Sequence, residues 1–161
     1  MKLRTLSRSL LGIFMVLALM LSILQTPSKA MAASRAANRK AVLKIVNSER
    51  KSRGCKKLVL DSTLNKAAQK RAQEISKYFS HERPNGTDCF TVLKKYGARY
   101  TTCGENIAAG QSTAAIVMNS WMNSDGHRKN ILTKKFKKMG VGYYKKKGTD
   151  YTYYWVQLFS D

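Results

Sequence analysis

The chain has 161 residues, 30 lysines and arginines against 9 acids, and a formal net charge of +21. So basic a chain invites a nucleic-acid reading, but its cations are spread along the whole length. Zinc-finger spacing, a basic region with heptads and an aromatic RNA-binding signature are all missing. The partners that remain are wall polymers, acidic polysaccharide and lipid headgroups, which attract such a surface without sequence selectivity.

At the start, Lys2, Arg4 and Arg8 precede an apolar run from Leu10 to Leu24, and small residues follow at Ala30, Ala32 and Ala33. That order is the order of a secretory signal peptide, and the run falls short of the roughly 20 apolar residues that span a bilayer comfortably. Residues 1–32 are expected to be a signal peptide, 33–37 a short linker and 38–161 one domain; an uncleaved N-terminal anchor is the alternative. Either reading places the remainder outside the cytoplasm. Cleavage takes away Lys2, Arg4, Arg8 and Lys29 and no acid, which lowers the formal charge from +21 to +17. About 130 residues remain, enough for one hydrophobic core and too few for two domains.

In Asn38–Arg53, Val42, Ile45 and Val46 share one face at helical spacing, and Gly54 stops the helix. A second helix is expected from a cap at Asp61 or Ser62, with Leu64, Ala67, Ala68, Ala72, Ile75 and Phe79 on one face. Pro84 and Asn85-Gly86 make 81–86 a loop. Thr87 or Asp88 then caps a short helix closed by Gly97. Thr113–Met122 reads as another short helix, ending before Ser124-Asp125-Gly126. From Met139 the period changes to alternation, and Tyr151–Phe159 is an aromatic and β-branched run, so the two form an antiparallel hairpin. Helices first and strands last predict an α+β layered domain.

Cys55, Cys89 and Cys103 would meet oxidising conditions outside the cell, where one pair is expected to close. Cys89 with Cys103 makes the shortest loop; Cys55 with Cys89, the pairing favoured here, would tie the first helical hairpin to the next segment. Against zinc ligation by all three, their spacings of 34 and 14 residues match no common ligand pair and the chain has two histidines. The two histidines, His81 and His127, both sit in turn-like segments beside glycine rather than in helix interiors, and Glu105 lies in a segment of small residues. Each is a weak signal alone, since loop histidines are mostly just exposed.

Together the segments resemble the bacterial branch of the CAP superfamily, the cysteine-rich secretory, antigen 5 and pathogenesis-related 1 proteins. The matching stretches are Phe-Ser-His-x-Arg-Pro-Asn-Gly at 79–86, Cys-Phe-Thr-Val-Leu-Lys-Lys-Tyr-Gly at 89–97 and Gly-Glu-Asn-Ile-Ala-Ala-Gly at 104–110. They continue with Trp-Met-Asn-Ser-x-Gly-His-Arg-x-Asn-Ile-Leu at 121–132, Met-Gly-Val-Gly-Tyr-Tyr at 139–144 and Tyr-Trp-Val-Gln-Leu-Phe at 154–159. The resemblance covers about residues 38–161 and implies a single-domain α-β-α sandwich. It also implies a cleft gathering His81, Glu105 and His127, with Asn106, Arg128 and Asn130 beside them. A second glutamate that many eukaryotic relatives carry after the first histidine is missing, since Pro84-Asn85-Gly86 stands there and Glu82 is too close.

The resemblance suggests lipid or sterol binding in some members, and His81 with His127 as ligands of a divalent cation such as zinc, though no cofactor is required. The leading expectation is a monomeric, secreted binding protein for a lipid, a wall component or another protein, rather than an enzyme. The rival is a metal-assisted or acid-base hydrolase of peptide or wall material using His81, Glu105 and His127. No activated nucleophile, Gly-x-Ser-x-Gly elbow or cysteine-histidine pair supports that rival, and nucleic-acid binding has only net charge in its favour.

Overall fold

The computed structural model describes residues 27–161; the apolar run read as an export segment lies outside them. The chain divides into two compact units, Met1–Ser34 and Arg35–Asp161. Helix α1 spans Pro27–Lys51, so the linker expected at 33–37 is helical. Its alanines have the highest helix propensity, and proline at a first helical position loses no hydrogen bond. Val42 and Val46, one turn apart, are fully buried, and Gly54 ends the excursion with a positive φ of 67°.

Strand β1, Val59–Leu60, leads into helix α2, Ser62–Ile75, whose first turn is capped by Asp61 accepting from the Leu64 N–H at 2.8 Å. The helix was expected to reach Phe79 but stops at Ile75. Arg71 Nη2 takes the Ser80 carbonyl at 2.7 Å, which draws the chain back on itself and leaves Phe79 exposed. A turn closed by Gly86 N–H to the Arg83 carbonyl at 2.9 Å follows, then α3, Thr91–Lys95. Strand β2, Cys103–Ala109, was not expected as a strand. Helix α4 is Ala114–Met122, capped by Thr113, and α5 is Asp125–Leu132. His127 therefore lies inside a short helix, a correction to the turn expected there. The expected hairpin is present as β3, Lys138–Lys145, and β4, Tyr153–Ser160, with Tyr143 opposite Trp155.

The four strands form one sheet in the order β1-β3-β4-β2, with β1 parallel to β3 and the other pairs antiparallel. Alternation along β4 sorts the two cores. Tyr154, Val156 and Leu158 pack with Leu64, Ala68, Ile75 and Leu93 from α2 and α3. Trp155 and Phe159 pack with Val42, Val46, Trp121 and Ile131 from α1, α4 and α5. The result is an α-β-α sandwich. Helix α2 sits so close on β3 that a Cβ at Gly140 would lie 2.2 Å from the Leu64 carbonyl carbon, and one at Gly142 2.0 Å from the Ala68 oxygen. Beyond the short β1, the edge of β3 is satisfied by side chains. Asn65 Oδ1 accepts from Val141 N, Gln69 Nε2 donates to Tyr143 O, and Arg39 Nε donates to Val141 O, each at 2.9 Å.

All three cysteines are free thiols, so the pairing expected between Cys55 and Cys89 is not formed. The Cys55 thiol faces the Leu132 carbonyl at 3.4 Å, whereas Cys89 is buried beside Glu105. Burial, with Asp88 and Asp161 nearby, pushes the Cys103 thiol up to about 11.

Candidate functional site

A cleft of about 620 Å³ runs along the outer edge of β2, over Ile107, Ala108 and Ala109. The loop after α2 supplies one wall with Phe79, Ser80 and His81, and α4 and α5 supply the other with Trp121, Ser124 and His127. Because side chains alternate along a strand, Glu105 and Ile107 point toward α2 while Asn106 points toward α5. Two outward carbonyls of β2 are already occupied. Asn130 Nδ2 donates to Glu105 O at 3.1 Å and Trp121 Nε1 to Ile107 O at 3.2 Å, which blocks pairing with a further strand.

Glu105 lies beneath His81. Its Oε2 accepts from Arg71 Nε at 2.9 Å, and its Oε1 accepts from Arg71 Nη2 at 3.2 Å and from His81 Nδ1 at 2.8 Å. A carboxylate only accepts, so Nδ1 carries a proton in this contact, and in the neutral ring that leaves the exposed Nε2 as the acceptor. Arg71 is wholly buried and also donates to Glu74 Oε2 at 3.1 Å. Arg83 grips Glu74 in turn, Nη2 to Oε1 at 2.7 Å and Nε to Oε2 at 3.0 Å. Burial alone would raise Glu74 and lower Arg71, but the hydrogen bonds and charges along this chain win, holding Glu74 below and Arg71 above their ordinary values.

His127 is half-buried. Burial first, and repulsion from His81 in its protonated form second, hold its pKa below the ordinary imidazole value, favouring the neutral ring. Its Nδ1 is buried with no hydrogen-bond partner. The other such side-chain atom among the described residues is Gln111 Oε1, and both residues line this cleft.

Of the expected site residues, His81 and His127 line the cleft and Glu105 supports it from below. Asn106, Asn130 and Arg128 do not line it. Asn106 is fully buried and donates to Gln157 Oε1 at 3.0 Å and the His127 carbonyl at 3.1 Å, and Asn130 Nδ2 donates to Asn106 Oδ1 at 2.8 Å. These two fasten α5 to β2. Arg128 pairs with Asp125 and donates to the Met122 carbonyl at 2.9 Å, bracing the start of α5. A second buried glutamate does exist, but it is Glu74, upstream of His81, and it faces Arg71 and Arg83. Sequence reasoning passed over Arg71 and Glu74. Their signal was present, since both fall among Ala67, Ala68, Ala72 and Ile75 on the face of α2 that is buried.

His81, Cys89 and Glu105 also place one ligand atom each within 4.8 Å of one another. Both Glu105 oxygens already accept from Arg71, and burial, reinforced by Glu105, drives the Cys89 thiol far up. Because Arg71 already holds both carboxylate oxygens, a cation bound by this trio would have to displace that guanidinium and a thiol proton.

Residues 43–159 match the cysteine-rich secretory protein family. The chain belongs to that family. This CAP domain is 45% identical over 112 residues to the YkwD protein of Bacillus subtilis (strain 168), covering 68% of this chain and 44% of that one. A structure of an extracellular protein containing a SCP domain from Bacillus anthracis str. Ames matches with a TM-score of 0.74 at 29% identity. That match covers 84% of this chain and 43% of the other. The fold alone is shared with NaASP2, solved with Zn2+, at a TM-score of 0.54 and 17% identity over 76% of this chain and 78% of that one. The CAP chain spans less than half the length of the curated relatives it matches. Among the described residues no helix is long and apolar enough to cross a membrane.

Proposed function

We propose that this CAP domain is an exported binding protein whose cleft takes a fragment of the cell wall bearing amide and hydroxyl groups. The observation that carries the reading is the mixed lining of one cleft, where His81, Gln111, Ser124 and His127 stand beside the apolar Ile107 and the exposed Phe79. A concave site with a few polar groups set among apolar ones suits a ligand that carries both hydrogen-bonding and apolar parts. Phe79, 48% exposed at the same wall and 6.1 Å from the Tyr151 ring, offers apolar contact beside them. Export is supported by the cationic start and apolar run of the first thirty residues and by the extracellular Bacillus anthracis relative.

Titrating soluble peptidoglycan fragments into the protein tests this reading. Saturable binding that weakens about tenfold in Gln111→Leu and in Phe79→Ala is expected, one lost hydrogen bond or contact being worth about 1.4 kcal/mol. Absence of saturable binding, or a lipid co-purifying in the cleft by mass spectrometry, overturns it.

A second reading rests on the Glu105–His81 pair, which leaves Nε2 as an acceptor. His81 Nε2 and His127 are neutral-imidazole donors of the kind zinc takes, with Glu105 orienting the first from behind, so the residues fit a divalent cation. Such an ion would supply Lewis acidity to a hydrolase. Against catalysis by a nucleophile, Ser120 donates to Ile116 O at 3.1 Å and Ser80 Oγ accepts from Glu82 N at 3.0 Å, so neither is paired with a histidine.

A further inference from the structure

Away from the cleft, two cavities adjoin along one face. The first, about 390 Å³, follows α1 past Lys40, Lys44 and Lys51. The second, about 740 Å³, is bordered by Lys56, Lys134, Lys135 and Lys137, and Lys57 lines both. At 1.5 Å per residue, Lys40 and Lys51 stand about 16 Å apart along the helix. Lys40 and Lys44 are one turn apart and repel, which weakens a helix unless something offsets it. None of these lysines forms an ion pair among the described residues. The one acidic side chain bordering them, Asp161, is turned to Thr101 and Thr102, whose backbone N–H groups donate to it at 2.9 and 3.0 Å.

The chemistry of the strip narrows its ligand. Its cations are all lysines, while Arg39, Arg50, Arg71 and Arg83 donate hydrogen bonds within the fold. Lysine binds phosphate as a compact point charge, and a row of such charges on flexible stems suits a chain of evenly spaced phosphodiesters. The only aromatic side chain bordering either cavity, Phe136, is buried, so there is no platform on which bases would stack. Concave walls suit a thin flexible chain better than a flat bilayer. We propose that this lysine strip binds a linear phosphodiester polymer, a polyol-phosphate chain. The site is separate from the cleft and does not rest on the reading given for it.

The test titrates labelled poly(glycerol phosphate) into the full chain and into two triple variants. One removes the α1 lysines, Lys40→Gln, Lys44→Gln and Lys51→Gln. The control removes equal charge elsewhere, Lys66→Gln, Lys94→Gln and Lys147→Gln. The strip variant is expected to lose about tenfold or more in affinity and to lower the log–log salt slope by about 2, as loss of three phosphate contacts requires. The control is expected to lose less than about threefold. Equal losses in both variants mean that bulk charge alone is responsible and overturn the proposal. Equally tight binding of polygalacturonate overturns the phosphate assignment. Tighter binding of a single-stranded oligonucleotide or of phosphatidylglycerol vesicles overturns the polymer. Unchanged circular dichroism and unchanged peptidoglycan-fragment binding in the strip variant would show that fold and cleft are intact.

Discussion

His81 and Glu105 are joined from Nδ1 to Oε1 at 2.8 Å, and the carboxylate that holds the imidazole is itself gripped by Arg71, a guanidinium with no exposure to solvent. Neutralising Glu105 therefore affects stability as well as the cleft. In Glu105→Gln the buried Arg71 keeps Glu74 but loses its other anion, at a cost of about 3 kcal/mol, the low end for breaking a buried pair. Urea unfolding measures it. A double variant with Arg71→Met should cost less than the two single changes added together, because they share one interaction. Strict additivity would show that the pair is not coupled.

Gly142 is a packing requirement. A methyl group there would stand 2.0 Å from the Ala68 oxygen, against helix backbone that has no side chain to swing aside. Gly142→Ala should destabilise by about 3 kcal/mol, the upper end for overpacking, seen as a lower midpoint in thermal or urea unfolding. Gly148→Ala, at an exposed turn with nothing within 4 Å of the added carbon, meets no such clash and is strained only by its φ of 72°. A Gly142→Ala protein as stable as wild type would mean that α2 lifts off β3 at little cost.

The hairpin of β3 and β4 was legible because alternation and β-branched or aromatic residues coincide in Tyr151–Phe159, and the Asp61 cap because its side chain acts locally. Strand β2 was not. Gly104-Glu105-Asn106-Ile107-Ala108-Ala109 has one β-branched residue, and it becomes a strand only because β4 pairs with it from Cys103 opposite Ser160 to Ala109 opposite Tyr154. Tertiary context decided it, as is common for strands. Helix α5 was hidden by Gly126, which costs helix propensity that is offset where Asn106 of β2 bonds the His127 carbonyl and Asn130 of the helix. The histidines and Glu105 stood out weakly by residue type and setting and were joined into one site only by resemblance, whereas Arg71 and Glu74 were passed over because a charged residue on a buried face announces itself only once its partner is known.

Glu74 sets an acid limit on stability. Its folded pKa lies below the ordinary value of 4.5, since hydrogen bonds from Arg83 and Arg71 outweigh its burial. A depressed carboxyl contributes stability that is complete above the ordinary value and is lost as pH falls through the folded one. Unfolding free energy should therefore decline below about pH 4.5, and Glu74→Gln should be less stable at pH 7 with a shallower decline. Parallel pH curves for the two proteins would remove Glu74 from the account.

The metal reading makes the sharpest demand on His81 and His127. Zinc takes neutral imidazole, and His127 is held below the ordinary 6.5, first by burial, so its ring stays available to the metal at neutral pH. Calorimetric titration of metal-stripped protein should therefore show binding that is steady above about pH 6.5 and weakens below it, as protons begin to compete for imidazole. His81→Ala and His127→Ala should each weaken binding about tenfold or more, and Glu105→Gln should weaken it about tenfold although Glu105 is not a ligand, because Nδ1 loses the negative charge of the acceptor that orients the ring. Folding of each variant is checked by circular dichroism before titration, since Glu105→Gln also strains Arg71. Zinc bound as tightly by the His81→Ala, His127→Ala double variant would end the two-histidine site. Loss of binding in Cys89→Ser with none in His127→Ala would move the ion instead to the trio of His81, Cys89 and Glu105, whose ligand atoms lie within 4.8 Å of one another. That outcome would require Arg71 to release Glu105, so it would be accompanied by a loss of stability that binding between the two histidines would not cause.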